Sequence, residues 1–417
     1  MALGESMRLL VYSHDTFGLG NIRRMLAICE HLQAAIPGLS VLIVSGSPML
    51  QSFRVQPGID YIKLPCLKRA ESGDLGVRFL DLGVEQIVRL RRELILSTIV
   101  SFEPDVVLVD KKPDGLAGEM EPSLRYIKCH LPQTRIMLVL RDILDAPAST
   151  IPAWTHRGCY NTVQWYYDDV IVLGTRQIFD VCSEYRFPKA MCTKVRFCGY
   201  VARGVPNRSR EEMRQQLGVA QGEELVLVTT GGGEDGLHIL STAVEALRQV
   251  SRKGRIQGVI VAGPELASER LRQIYALARS CAAVRVVDFV DDMMSYMNSA
   301  DAVISMAGYN TICELLTLGK RTIVIPRVKP VEEQRIRAER MAHVPFFRPI
   351  LPDALTPELL ANVLLEQLHA GESEINVPAP IDLGALPRIA AMLAADAQRC
   401  AHDRFEFGSM PLTEMVA

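Results

Sequence analysis

Short apolar runs alternate with amphipathic stretches from residue 8 to about residue 370. The runs are rich in Val, Ile and Leu, which is typical of parallel strands buried on both faces. The predicted strands are 8–13, 39–45, 60–64, 106–109, 135–140, 170–173, 225–229, 258–262, 284–287, 302–306 and 322–326. Because helical patterns such as 85–100 and 154–167 separate them, the sequence predicts an α/β fold of two Rossmann-like, doubly wound domains.

The domain boundary is predicted at Pro206-Asn207-Arg208-Ser209, the clearest change of composition along the chain. We expect a first domain over residues 1–205 and a second over residues 206–372. An Ala- and Leu-rich helix at about 384–400 is expected to pack back on the first domain, and residues 403–417 to form a tail. Strand 170–173 is expected to be the last strand of the first half.

One stretch of the second half has the pattern of an anion-binding turn. Strand 302–306 runs into small residues at 307–311, a helix follows, and Gly319 closes that helix. Free backbone N–H groups and the helix dipole favour negative charge at such a turn. The residues predicted to hold a pyrophosphate are Gly308, Tyr309, Asn310 and Thr311. Glu314, one turn later, is predicted to accept the hydroxyls of a ribose; an ordinary βαβ unit with a glycine at its turn is the alternative.

Two further glycine loops follow predicted strands. Gly231, Gly232 and Gly233 come after strand 225–229 and would let a phosphate approach the backbone. Gly18 and Gly20 follow the first strand, but the third glycine of a dinucleotide fingerprint is missing. The second strand also ends without an acid for a ribose, so the pattern disfavours a dehydrogenase.

Charged residues follow the strand at 106–109. Ligands of open parallel sheets collect beyond the carboxyl ends of strands, so Lys111, Lys112 and Glu119 are predicted to face the cleft between the domains. The alternative is that they are ordinary loop charges. Arg89, Arg91 and Arg92, on the helix at 85–100, are interpreted as part of a solvated face.

Composition excludes several classes of protein. The net charge of −2 gives no reason to expect a nucleic-acid partner, and the ten cysteines contain no CxxC pair. Neither a secretory signal nor an apolar run of about 20 residues is visible. We therefore expect a cytoplasmic protein with reduced thiols, no bound metal or cofactor, and at most peripheral membrane contact. The oligomeric state stays open.

The sequence also resembles a known group of enzymes. Phe-Val-Asp-Asp-Met at 289–293, Glu314, the Leu-Gly-Lys at 318–320 and Gln334 follow the order and spacing of the transferase family that makes lipid II. That family belongs to the glycosyltransferase-B superfamily. Residues 14–24, HDTFGLGNIRR, resemble the HDTxGLGHxRR signature of a bacterial branch of predicted glycosyltransferases.

The resemblance implies roles for further residues. Phe289 would lie near the nucleotide base, and backbone groups of Val290 would read its edge. Arg203 would neutralise the pyrophosphate, and Gln334 would contact the sugar hydroxyls. The acceptor would bind at the loop that carries Gly18, Gly20 and Asn21. No metal is required, because helix dipoles and an arginine can stabilise the leaving diphosphate.

The catalytic base is where the chain departs from the family. The Gly-His of the signature is Gly20-Asn21 here, and an amide cannot take a proton at neutral pH. Asp15 or His14 is then the candidate base. Alternatively the acceptor is a thiol or thione, which needs less base assistance.

The resulting prediction is a metal-independent, inverting glycosyltransferase. It would move a sugar from a nucleotide-diphosphate donor, with UDP favoured and GDP or dTDP open, to a small-molecule or lipid-linked acceptor. A nucleotide-sugar 2-epimerase is one rival, and a non-catalytic nucleotide-sugar-binding partner is another. The sugar and the acceptor are not specified by the sequence.

Overall fold

A computed structural model of the chain describes residues 6–14, 20–52, 54–69, 75–369 and 381–395. Asp15, Gly18 and the predicted tail at 403–417 lie outside these ranges. One parallel sheet organises each half of the described chain, with seven strands in the first half and six in the second.

The first half contains a short antiparallel hairpin besides its parallel sheet. Its strands are β1 (Arg8–Ser13), β2 (Ser40–Ser45), β3 (Ile59–Lys63), β4 (Leu67–Arg69), β5 (Leu75–Val77), β6 (Val106–Asp110), β7 (Arg135–Arg141), β8 (Asp169–Leu173) and β9 (Val195–Phe197). Its helices are α1 (Gly20–Ala35), α2 (Val84–Phe102), α3 (Glu121–His130), α4 (Pro147–His156), α5 (Cys159–Tyr166), α6 (Val181–Glu184) and α7 (Lys189–Cys192). The sheet order is β3-β2-β1-β6-β7-β8-β9.

The second half repeats this plan. Its strands are β10 (Glu224–Thr229), β11 (Ile256–Val261), β12 (Val284–Val287), β13 (Ala302–Ser305), β14 (Thr322–Val324) and β15 (Phe347–Pro349). Its helices are α8 (Arg210–Leu217), α9 (Leu237–Val250), α10 (Ser268–Ala278), α11 (Met293–Ser299), α12 (Tyr309–Leu318), α13 (Glu333–Arg340) and α14 (Pro357–His369). The sheet order is β12-β11-β10-β13-β14-β15.

The order of strands reverses at one point in each sheet. In the first sheet β1 lies between β2 and β6, and in the second β10 lies between β11 and β13. At such a reversal the two connecting helices leave on opposite faces, so a crevice opens at the carboxyl ends of the strands. The loops after β1 and β6, and those after β10 and β13, therefore border the two places where ligands are expected.

The central strands are almost continuously buried, as β6 and β8 show with no partly exposed position, whereas the edge strands β3 and β12 are partly exposed. Helices cover both faces of each sheet, so the alternation of strands and helices predicted the doubly wound architecture correctly. Four local predictions were wrong or incomplete. The helix expected at 154–167 is two helices, separated by Gly158 at a φ of 68°. Strand β9 extends the sheet beyond β8, and the sequence analysis missed β15 and the β4–β5 hairpin.

The last described segment packs against the end of the first half. Residues 385–395 are helical, and the Tyr200 amide donates a 2.7 Å hydrogen bond to the Asp382 carbonyl just before them. The Arg388 guanidinium reaches the Cys198 carbonyl at 2.7 Å. Ile389 and Leu393 are buried in the same apolar cluster as the first sheet.

No helix in the described ranges is long and apolar enough to span a membrane. The nine cysteines within these ranges are free thiols, and six of them are buried.

Candidate functional site

A cavity of about 610 Å³ lies between the two halves, at the carboxyl ends of both sheets. Loops after β10, β12, β13 and β14 form one wall, and the start of α1 forms the other. Most of the residues predicted to bind the donor line it: Gly231, Gly232, Gly233, Phe289, Val290, Gly308, Tyr309, Asn310, Thr311, Glu314 and Gln334. Gly20 and Asn21 of the predicted acceptor loop line the opposite side.

The N-terminus of α12 opens into this cavity. Strand β13 ends at Ser305, and α12 begins at Tyr309 after Gly308, which has no side chain to cap the helix. The first-turn amides are therefore left for a ligand, and the helix dipole adds partial positive charge there. This geometry suits an anion such as a diphosphate.

Glu314 lies one turn into the same helix and is only 3% exposed. Its carboxylate accepts a 3.2 Å hydrogen bond from the Arg23 guanidinium of α1, on the opposite side of the cavity. The Arg23 side chain remains 42% exposed. The carboxylate therefore has an exchangeable partner in the unliganded protein.

Asn310 holds the turn against the first half. Its amide nitrogen donates to the Gly20 carbonyl at 2.8 Å, and its amide oxygen accepts from Arg203 at 2.6 Å. The Arg203 amide also donates to the Thr317 hydroxyl at 3.1 Å. Arg203 does not line the cavity. In this structure it holds the turn through Asn310, whereas the resemblance implied a direct contact with the pyrophosphate.

The Tyr309 ring is part of the interdomain core. It stacks on Tyr200 at a centroid distance of 5.8 Å, and the guanidinium carbons of Arg24 and Arg337 lie 5.7 and 5.8 Å from its centroid. The ring is 3% exposed. Tyr309 can therefore offer its backbone amide to a ligand in the cavity, while its ring joins the two halves.

The glycine loop after β10 is tightly packed and acidic. A Cβ at Gly233 would lie 2.3 Å from the Ala262 carbonyl oxygen, and one at Gly232 would lie 2.4 Å from the Glu265 carboxylate. Burial and the charge of Glu234 raise the pKa of Glu265. Carboxylates so close to the loop disfavour a phosphate there, so α12 is better suited to the diphosphate than Gly231–Gly233.

The start of α13 brings Glu333 and Gln334 to the cavity. The Arg327 amide donates to the Gln334 side-chain oxygen at 3.1 Å. The Glu333 carboxylate forms an ion pair with Arg141 across the domain interface, with Nη2 and Oε2 2.8 Å apart. Burial alone would raise the pKa of Glu333, but the charges of Arg141, Arg337 and further cations lower it to about 2. Glu333 is consequently a fixed anion beside the predicted sugar site.

A buried ion pair joins the halves next to this point. The Arg337 guanidinium donates to both carboxylate oxygens of Asp142, at 2.7 and 2.8 Å, and to the Ala307 carbonyl at 2.7 Å. Asp145, three residues after Asp142, accepts a 2.8 Å hydrogen bond from the Glu332 amide. These partners are far apart in the chain, and the sequence analysis gave them no role.

His14 lies at the carboxyl end of β1 and is 5% exposed. Its Nδ1 is 3.3 Å from the Asp110 carbonyl oxygen. Since a carbonyl oxygen only accepts, Nδ1 carries the proton and Nε2 has the lone pair. Burial, followed by the charges of Lys112 and Lys111, lowers the pKa of His14 well below its usual range. His14 does not line the large cavity, and Asp15 lies outside the described residues.

Glu119 occupies a different place from the one predicted. It has no exposed surface, and the Arg91 guanidinium donates to both of its oxygens at 2.6 Å. The Tyr12 hydroxyl also donates to it. Glu119 therefore stabilises the first domain and does not face the cleft. Arg91 is itself fully buried, so its assignment to a solvated face was wrong.

Lys111 lies beyond β6, as predicted, but beside a second and smaller cavity of about 200 Å³. Its φ of 63° is in the left-handed region, which a lysine rarely adopts. The charge of Arg141, followed by burial, lowers the pKa of Lys111 to about 7. Within the described ranges, no group of three or more His, Cys, Asp or Glu is placed to hold a metal ion.

The fold defined by these two sheets and their facing loops is that of the glycosyltransferase-B superfamily. The chain superposes on MurG from Acinetobacter baumannii with a TM-score of 0.60 and 15% identity, covering 94% of this chain and 99% of that one. A putative UDP-N-acetylglucosamine 2-epimerase from Listeria monocytogenes gives a TM-score of 0.64 at 13% identity, covering 94% and 97%. Likeness at these identities shows the fold alone.

In sequence, the second half of the chain resembles the lipid II-forming transferases. Residues 225–380 match the family model of the glycosyltransferase family 28 C-terminal domain. A UDP-N-acetylglucosamine–N-acetylmuramyl-(pentapeptide) pyrophosphoryl-undecaprenol N-acetylglucosamine transferase from Haemophilus influenzae is 29% identical over 143 residues. That match spans 34% of this chain and 39% of the relative's length. The sequence similarity is thus confined to part of each protein.

Proposed function

We propose that the protein is a glycosyltransferase that moves a sugar from a nucleotide-diphosphate donor, with UDP favoured, to a small-molecule or lipid-linked acceptor. The observation that carries the proposal is the pairing of the open α12 N-terminus with Glu314, one turn apart, in a cavity of about 610 Å³. Ligand sites of ordinary size occupy roughly 300–1,000 Å³. The family 28 match covers this half of the cavity.

The donor would lie along the second half. The first-turn amides of α12 would take the diphosphate, and Glu314 would accept the ribose hydroxyls. The base would stack near Phe289, which is 54% exposed in the unliganded protein, and the backbone of Val290 would read its edge. The sugar would extend toward Gln334.

The reaction is proposed to be independent of metal and to invert the anomeric carbon. The positive end of α12 and the lining arginines Arg141 and Arg327 supply charge where the leaving diphosphate develops. Inversion rests on the resemblance to the lipid II-forming family.

For the proton of the acceptor we propose His14 or Asp15. His14 is neutral near pH 7, because its pKa is lowered, and the contact of Nδ1 with the Asp110 carbonyl leaves Nε2 as the unprotonated ring nitrogen. If either residue is the base, replacing it (His14→Gln or Asp15→Asn) lowers turnover by about 10²–10⁴-fold while nucleotide affinity is retained. Full rates in both variants with an oxygen acceptor would contradict this assignment.

The deciding experiment measures free nucleoside diphosphate from a panel of nucleotide-sugars, with and without acceptors. Acceptor-dependent release supports the proposal. A 2-epimerase would interconvert the sugar without an acceptor, and it would need a histidine close to the sugar; no histidine is among the described residues that line the cavity. If the protein binds nucleotide but shows no turnover with any acceptor, the result would favour a non-catalytic nucleotide-sugar-binding partner.

A further inference from the structure

The second cavity lies at the carboxyl ends of β6 and β7, outside the donor site. Lys111 and Lys112, Trp154 of α4 and Val331 of the second half are among the residues that line it. Lys111 lies close enough to Arg141 and Glu333, which line the donor cavity, to interact with their charges.

The carboxylates around this cavity already have partners. Asp110 is bound to Arg24 at 2.7 Å, and Glu333 is bound to Arg141 at 2.8 Å. Asp114 is bound to Arg157 at 2.6 Å. Asp145 accepts hydrogen bonds from the Ala146 and Glu332 amides at 2.7 and 2.8 Å.

Lys111 differs from these groups. Among the described residues its ammonium has no hydrogen-bonded carboxylate, and the side chain is partly buried beside Arg141 and Lys112. The charges of Glu333 and Asp110 act on it from nearby, but both carboxylates are already paired with arginines. A partly desolvated cation without a partner of its own is costly. A ligand anion would supply that partner, and the α4 N-terminus at the same cavity would add partial positive charge.

The shape of the cavity limits the ligand. A volume of about 200 Å³ accommodates a single ring with one acidic substituent, and the Trp154 indole, which stacks on Phe187 at 5.5 Å, gives the lining an apolar part. We infer that this cavity is the acceptor subsite and that it takes a compact acceptor in which a carboxylate or phosphate, paired with Lys111, is attached to an apolar ring. This inference rests on the proposed glycosyl transfer.

Anion binding at Lys111 should depend on pH. The charged and titratable groups near it are Arg141 from β7, Glu333 from α13, its neighbours Lys112 and Asp110, and His14 at the end of β1. Since the pKa of Lys111 is lowered to about 7, an anion that pairs with it raises that pKa and is bound together with a proton. Affinity should be full below about pH 7 and fall as the pH rises through this value.

Trp154 provides a direct reporter. The chain has two tryptophans, and the other, Trp165, is 76% exposed; Trp165→Phe leaves Trp154 as the single indole. Titrating this protein with benzoate, which stays ionised from about pH 6 to about pH 9, should give a saturable change in fluorescence. Phenyl phosphate should do the same, and neutral benzamide should bind at least about tenfold more weakly.

Three lysine variants distinguish benzoate binding in the second cavity from non-specific anion binding elsewhere on the protein. Lys111→Met should weaken benzoate about tenfold or more and remove the pH dependence. Lys112→Met provides an independent test at the same wall. Lys189→Met, an exposed lysine in the same half, should bind benzoate as the parent protein does.

Three results would overturn the inference: an equal response to benzamide, an unchanged affinity in both Lys111→Met and Lys112→Met, or displacement of benzoate by a nucleoside diphosphate. A melting-temperature shift with UDP is measured on the same proteins. If UDP causes no shift in melting temperature, the proposed donor site is contradicted. The Trp154 titration tests only the second cavity, so failure of this inference and failure of the proposed function give different results.

Discussion

Replacing Glu314 tests the assignment of the donor site most directly. Its side chain is 4% exposed, and among the described residues its carboxylate pairs with the half-exposed Arg23 alone, at 3.2 Å. A ribose that donates its hydroxyls to Glu314 must displace or share this arginine. Glu314→Ala removes the acceptor for those hydroxyls but leaves the α12 N-terminus in place.

The expected magnitude follows from these two contacts. A hydrogen bond to a charged group is worth about 1.5–3 kcal/mol, whereas an ion pair with one exposed partner is worth about 0–1 kcal/mol. The difference leaves about 0.5–3 kcal/mol in favour of the ribose. Glu314→Ala should therefore weaken nucleoside diphosphate binding by about 2- to 150-fold.

Replacing Arg23, the ion-pair partner of Glu314, tests the same contact from the other side. Arg23→Ala frees the carboxylate, so it should leave nucleotide affinity unchanged or improve it by at most about fivefold. In the Glu314→Ala background the same change should have no effect, since the contact is already lost. A loss of affinity in Arg23→Ala alone would show instead that Arg23 contacts the diphosphate.

Isothermal titration with UDP and GDP measures these affinities. Glu366→Ala, an exposed glutamate on α14, is the control and should bind nucleotide like the parent protein. Glu314→Ala with unchanged affinity for every nucleotide tested would refute the ribose assignment.

Three further predictions follow from the same geometry. Arg337→Met should destabilise the protein by about 3–5 kcal/mol in urea unfolding, because it leaves Asp142 buried without its cation; loss of the exposed Arg125–Glu121 pair should cost less than about 1 kcal/mol. The pKa of Glu333 is lowered to about 2, below its unfolded value of about 4.3. Its contribution to stability is therefore present above about pH 4.3 and is lost as the pH falls toward 2. In Glu333→Gln the urea concentration at the midpoint of unfolding should change less with pH over that range than in the parent protein. The rise in melting temperature caused by a nucleoside diphosphate should be the same in EDTA as in magnesium, and a shift seen only with magnesium would contradict metal-independent binding.

The parts of the site that lie close together in sequence could be predicted. The turn at 308–311 and Glu314 are fixed by one strand–turn–helix unit, so their spacing was readable from small and apolar positions. The Asp142–Arg337 ion pair could not be predicted, because its partners are 195 positions apart and neither has an unusual local pattern. The predictions for Glu119 and Arg91 were wrong for a similar reason. Each residue has the local pattern of a surface charge, and only the fold shows that the two are paired in the interior.

Asn21 shows how such a distant pairing bears on the chemistry. Asn21 lines the donor cavity, and its side-chain oxygen accepts a 3.2 Å hydrogen bond from Arg24, which is itself paired with Asp110 at 2.7 Å. A histidine at position 21 would lie beside that guanidinium, whose charge would lower its pKa and weaken it as a base. The Arg24 charge is also among the causes that lower the pKa of His14, after burial and the charges of Lys112 and Lys111. A histidine at either position would therefore be a weak base at this strand end, and His14 differs in that the Asp110 carbonyl fixes its tautomer with the proton on Nδ1. A histidine at position 21 would gain little as a base beside this cation, which fits a chain that has an asparagine where the family signature has histidine.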